Sequence, residues 1–72
     1  MQYDEFKTKL AETLELKSSP GDDTAFADLP DWDSLKVLEI IMLADMEFQR
    51  KLTVALIKEH NTARALYVFL MS

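Results

Sequence analysis

Cysteine is absent from this 72-residue chain, and glycine, histidine and tryptophan occur once each and proline twice. Without thiols no disulfide or thiolate–metal staple can support the fold, which suits a reducing compartment and leaves the core to hold the chain alone. The scarcity of Gly and Pro, with 49% hydrophobic residues, argues against disorder and against a turn-rich β fold, and for helices. No stretch approaches the ~20 apolar residues of a membrane span. The start Met1-Gln-Tyr-Asp-Glu has neither the basic residues nor the apolar run of a signal peptide, so a cytoplasmic location without a membrane span is expected. One His, no Cys and no Gly-rich phosphate loop leave no set from which to build a catalytic triad, metal site or nucleotide site. The expectation is a protein that is not an enzyme, with His60 a helix-flanking surface residue.

Seventy-two residues make one expected domain, 1–72, which buries only about 60% of the surface its unfolded chain would expose. The net charge of −5 is unevenly placed. Residues 22 to 47 carry eight carboxylates against the single Lys36, a local balance of −7 that leaves +2 for the remainder. An acidic middle repels phosphate backbones and attracts basic protein surfaces, so nucleic acid is not an expected partner.

Phe6, Leu10 and Leu14 recur every four residues and predict an amphipathic helix over residues 3 to 16. Ser18-Ser19-Pro20-Gly21-Asp22-Asp23 breaks it and opens a long loop that reaches Asp33, with Phe26, Leu29 and Trp32 available as tethers to a core. Asp33 or Ser34 caps a second helix that runs to about Phe48, since no breaker follows for fourteen positions. Arg50-Lys51 fall where a cation complements that helix's C-terminus. Thr53 is positioned to cap a short helix over Val54 to Glu59, and Asn61-Thr62 to cap a last one carrying Leu66, Phe69 and Leu70. The predicted architecture is all-α: a small four-helix bundle, three longer helices and a short third, with a long loop between the first two.

Around the second helix, Val37, Ile41, Ala44 and Phe48 share one side, the expected core stripe. Leu35, Met42 and Met46 lie opposite, beside Glu39 and flanked by Lys36, Leu43 and Glu47. Two readings of that side stand: a helix buried nearly all round, or a docking face in which apolar residues are ringed by acids. Glu39 and Glu47 favour the second, and methionines suit surfaces that meet several partners. Asp33-Ser34 at the helix start is explained by capping alone. The position adds unpaired N–H groups and a partial positive charge, which suit a phosphodiester on the serine oxygen.

From Asp33 to Phe48 the sequence Asp-Ser-Leu-Lys-Val-Leu-Glu-Ile-Ile-Met-Leu-Ala-Asp-Met-Glu-Phe resembles, without a gap, the second-helix signature of acyl carrier proteins. Leu52 and Ile57, then Thr62, Leu66 and Leu70, resemble that family's third and fourth helices, and Phe26 and Leu29 its loop anchors. The resemblance implies that a separate phosphopantetheinyl transferase modifies Ser34, flanked by Asp33, with 4'-phosphopantetheine from coenzyme A. The arm's thiol would carry acyl groups as thioesters. It also implies that Leu35, Glu39, Met42 and Met46 meet the transferase and the acyl-loading, synthase or acyltransferase enzymes, with the carrier a monomer.

The sequence departs from the family pattern in four places, one of them Met46, which interrupts the usual acidic end of the second helix. Leu29-Pro30-Asp31-Trp32 replaces a Gly-containing approach to the serine and is one residue longer, Lys36 stands at a frequently acidic position, and Gln49 replaces a common Gly. Trp32 is expected as an anchor under the loop, the alternative being contact with the arm. These departures suggest a specialised fatty-acid, polyketide or cell-surface lipid pathway. Two rivals remain at this level: a peptidyl carrier with the same serine, and a non-modified helical adaptor in which Ser34 only caps.

Overall fold

Three threonine or aspartate caps set the start of three helices. In a computed structural model that describes residues 1–72, α2 spans Ser34–Phe48 behind the cap Asp33, α3 spans Val54–Glu59 behind Thr53, and α4 spans Ala63–Met71 behind Thr62. Each capping oxygen accepts the amide three residues on, from Lys36, Leu56 and Ala65, all at 3.1 Å. The first helix, α1, spans Tyr3–Thr13, shorter than its apolar period suggests. Leu14 and Leu16 still pack inward, but between them Glu15 turns left-handed at φ 57°, which ends the helix while keeping both leucines on the core.

One core joins all four helices. Phe6, Leu10 and Leu14 from α1 and its end meet Ile40 and Ala44 of α2, Ile57 of α3 and Ala63, Leu66 and Leu70 of α4, with Leu52 between α2 and α3. An aromatic group closes one end, where Phe6 lies 5.7 Å from Phe48 and 5.5 Å from Tyr67, centroid to centroid, and Tyr3 5.1 Å from Tyr67. The expected stripe of α2 is rotated slightly: Ile40 and Ala44 are fully buried, while Val37, Ile41 and Phe48 are half-buried along its edge.

The connection from α1 to α2 is fixed at both halves. Asp22 accepts the Tyr3 hydroxyl at 2.5 Å and the Lys7 ammonium at 3.0 Å, with Arg64 of α4 at 3.7 Å. Arg64 also donates to Asp23 at 3.1 Å. Farther on, a 3₁₀ turn at Phe26–Asp28 buries Phe26, whose amide donates to the Asn61 carbonyl at 2.8 Å.

Two sequence expectations change here. Arg50 complements the C-terminus of α4 instead of α2: its guanidinium donates to the carbonyls of Leu70 at 3.4 Å and Ser72 at 2.8 Å. His60, expected at the surface, is half-buried and stacked on Phe69 at 4.5 Å. The end of α2 is closed by Gln49 at φ 52°, with the Arg50 amide donating to the Ala44 carbonyl and the Gln49 amide to that of Asp45, a left-handed close that suits glycine.

A left-handed non-Gly residue carries a steric cost of about 1–2 kcal/mol. Gln49→Gly should therefore raise stability by about 1 kcal/mol, seen as a thermal midpoint about 4–8 °C higher. An unchanged midpoint would show that Gln49 is relaxed in this conformation.

The Asp22 cluster makes stability depend on pH. The Tyr3 and Lys7 hydrogen bonds hold the Asp22 carboxyl below its ordinary 3.8, so its contribution is present above that value and is lost as pH falls from there through the lower value of the folded state. Burial, reinforced by the bond to Asp22, pushes the Tyr3 hydroxyl from 10.0 up to about 12, so stability also declines as pH rises between those values. Urea midpoints measured across pH should lose part of the acid limb in Asp22→Asn and part of the alkaline limb in Tyr3→Phe; variants with native profiles would exclude the cluster.

Candidate functional site

The start of α2 is presented by a turn that the sequence supplies without glycine. Pro30 and Asp31 form it, with Asp31 at φ 57°, the pairing of a Pro with a following left-handed residue that a type II turn uses. Aspartate tolerates that region better than most residues, which explains how Leu29-Pro30-Asp31-Trp32 does the work of a Gly-containing approach. Trp32 then stacks on the buried Phe26, centroids 5.5 Å apart and planes at 19°, as the expected anchor under the loop.

Asp33 follows in extended conformation, and two of its three acceptor oxygens are engaged: Oδ1 takes the Lys36 amide at 3.1 Å and its carbonyl the Val37 amide at 3.3 Å. Ser34 is the first residue of α2 and is exposed. Its hydroxyl makes no hydrogen bond within the chain, and the amides of Ser34 and Leu35 are likewise unpaired. The structure thus places a free hydroxyl at the positive end of a fifteen-residue helix, beside two donors with nothing to donate to.

Along α2 from this point the outward face is apolar and open. Leu35, Met42 and Met46 are all more than half exposed, so the helix is not buried all round. Leu38 belongs with them and was missed in the sequence reading, although it lies three residues after Leu35 and four before Met42, the spacing that marks one helical face. Glu39 differs from expectation: it is half-buried, facing a groove of about 260 Å³ that α1 shares through Lys9, Glu12 and Thr13, and its Oε2 is buried without a donor. It borders the open face instead of standing on it. Lys36 departs further, reaching back so that its ammonium donates to the Leu14 carbonyl at the end of α1, 3.0 Å away.

A short helical bundle that presents an exposed, unengaged serine at a helix start, next to an open apolar strip, has the form of a carrier domain. The family model for the phosphopantetheine attachment site matches residues 4–70, nearly the whole chain, and the protein belongs to that family. It is a carrier and not an enzyme, and its prosthetic group is a covalently attached 4'-phosphopantetheine. Neither a curated protein nor a solved structure matches the chain significantly.

Because Asp33 is spent on capping, its substitution should act through the helix start. Asp33→Ala should lower stability by about 1 kcal/mol in chemical unfolding, whereas Asp33→Asn, which keeps an acceptor, should stay within a few tenths of the native value, about 0.3 kcal/mol. Equal losses in the two variants would show that the charge, and not the cap, carries the effect.

Proposed function

We propose that this chain is an acyl carrier protein in which residues 1–72 act as one domain and Ser34 is the attachment residue. The observation that supports this most directly is the exposed, unbonded Ser34 hydroxyl on the first turn of α2, in a family defined by attachment of a phosphopantetheine arm. The residues around it fit the group. A phosphodiester on Oγ would find the unpaired amides of Ser34 and Leu35 and the positive helix end, and no side chain covers the hydroxyl. Bound there, the arm supplies a terminal thiol that holds acyl groups as thioesters. Asp33 contributes by fixing the turn: its cap orients Ser34 outward.

The partners on this reading are a phosphopantetheinyl transferase and the enzymes that load, extend or remove the acyl group. Leu35, Met42 and Met46, with Leu38, offer them an apolar strip, and Glu39 stands at its α1-side edge. Acidic surroundings would steer basic partner surfaces while a small apolar contact lets them leave, as a carrier that visits several enzymes requires. The same acidity supports acyl over peptidyl cargo. A specialised fatty-acid, polyketide or cell-surface lipid pathway, served by a monomer in the cytoplasm, is the setting we favour, on the strength of Lys36 and the Pro30–Trp32 approach.

Intact mass after incubation with coenzyme A and a broad-specificity phosphopantetheinyl transferase tests the reading. The native chain should gain one arm and Ser34→Ala none. A native chain that gains no mass would overturn the carrier assignment, and a gain on Ser34→Ala would move the site elsewhere.

A further inference from the structure

The first turn of α2 touches the rest of the molecule at few points. Ser34 and Leu35 face solvent, and on the loop side the turn is held by Trp32 on Phe26. On the α1 side lies an open cavity of about 640 Å³, walled by Leu14, Pro30, Asp31 and Lys36 among others. Packing therefore does not fix the attachment turn against α1. One polar contact crosses there: the Lys36 ammonium on the Leu14 carbonyl.

That contact joins two helix ends of opposite character. Leu14 closes α1, where unpaired carbonyls carry partial negative charge, and a cation there is favourable. Lys36 is the third residue of α2, and its amide is the one that Asp33 caps. A single residue thus ties the cap of α2 through its backbone and the end of α1 through its side chain. Packing does not make up for its loss, because the ammonium reaches Leu14 at the wall of an open cavity.

We propose that Lys36 is a positioning residue for the attachment serine, a clamp that locks the first turn of α2 to the C-terminus of α1 and so sets how Ser34 is offered to the transferase. The proposal rests on Ser34 being the modified residue. When the clamp is open, the competent arrangement of the turn is only a fraction of the population, and the apparent affinity of a partner for it falls by that fraction. The chemical step, once the partner has selected the locked turn, is unaffected.

The test uses the unmodified chain, coenzyme A and a broad-specificity transferase, with Lys36→Met, which keeps the aliphatic stem and loses the donor, and Lys36→Arg, which keeps it. Lys36→Met should raise the KM for the carrier by about 5-fold with kcat retained, and speed amide exchange of Lys36 and Val37 by about the same factor. Exchange at Leu66, in α4, should not change, and Lys36→Arg should restore both readouts. A native KM in Lys36→Met overturns the proposal, as does a raised KM without faster exchange at Lys36 and Val37, which would make Lys36 a direct transferase contact. Faster exchange at Leu66 as well overturns it too, by showing a general loss of stability. Failure of the Ser34 reading is distinct: no variant would then be modified, and the exchange measurement alone would decide whether the clamp exists.

Discussion

The burial of Phe26 with Trp32 stacked on it is the contact on which the presentation of Ser34 depends. Between Thr13 and Ser34 the chain has no regular helix beyond a single 3₁₀ turn, and ordering such a length costs conformational entropy at every residue. Phe26 counters that cost close to the first turn of α2. It is fully buried, its amide is bonded to the junction of α3 and α4, and its ring is the platform for the residue two places before Ser34. The Asp22 cluster does the same for the first half of the connection through charge and hydrogen bonds, with Tyr3 and Lys7 on one side and Arg64 on the other. A long loop is thereby made into a fixed bracket, held on α1, α4 and the α3–α4 junction, without one glycine at a positive φ.

How much of this the sequence carried follows from the range of each signal. Caps act within three residues, and so Asp33, Thr53 and Thr62 marked the starts of α2, α3 and α4 correctly. Periodicity gave the inward side of α2 but not its centre, since a stripe of Val37, Ile41, Ala44 and Phe48 says nothing of how the helix is rolled against its neighbours, and Ile40 is as fully buried as Ala44. The same signal overran the end of α1, because Leu14 and Leu16 remain apolar and inward after the backbone has left the helix at Glu15. What stayed hidden was the destination of long polar side chains. Local reasoning ties Lys36 and Glu39 to the outer side of α2 and Arg50 to its C-terminus, and each is settled by another helix: Lys36 by the end of α1, Glu39 by the groove with α1, Arg50 by the end of α4. Pairing across tens of residues leaves no local pattern to read.

These destinations also change the electrostatics of the proposed docking side. Lys36 is the one cation in the acidic middle of the sequence, and counted on the outer face it would blunt the field there. Folded onto the Leu14 carbonyl, its charge is instead matched by the negative end of α1. The open strip of Leu35, Leu38, Met42 and Met46 is left bordered by carboxylates at Glu39, Asp45 and Glu47. Fields of this kind raise the rate of encounter with basic surfaces more than they lengthen the stay, while four exposed apolar side chains give a contact small enough to break.

Asp33 shows how the chain prepares the start of α2. Its carboxylate, adjacent in sequence to Ser34, accepts the Lys36 amide through Oδ1, and its backbone carbonyl accepts that of Val37. The division of labour is then one of structure against chemistry. The chain keeps the turn rigid by satisfying the third and fourth amides of α2, leaves the first two unsatisfied where a phosphodiester can use them, and exposes the hydroxyl between loop and helix. On the reading proposed for Ser34, proton removal and charge stabilisation in the attachment step would fall to the modifying enzyme, and the carrier would contribute a hydroxyl whose position has been fixed in advance.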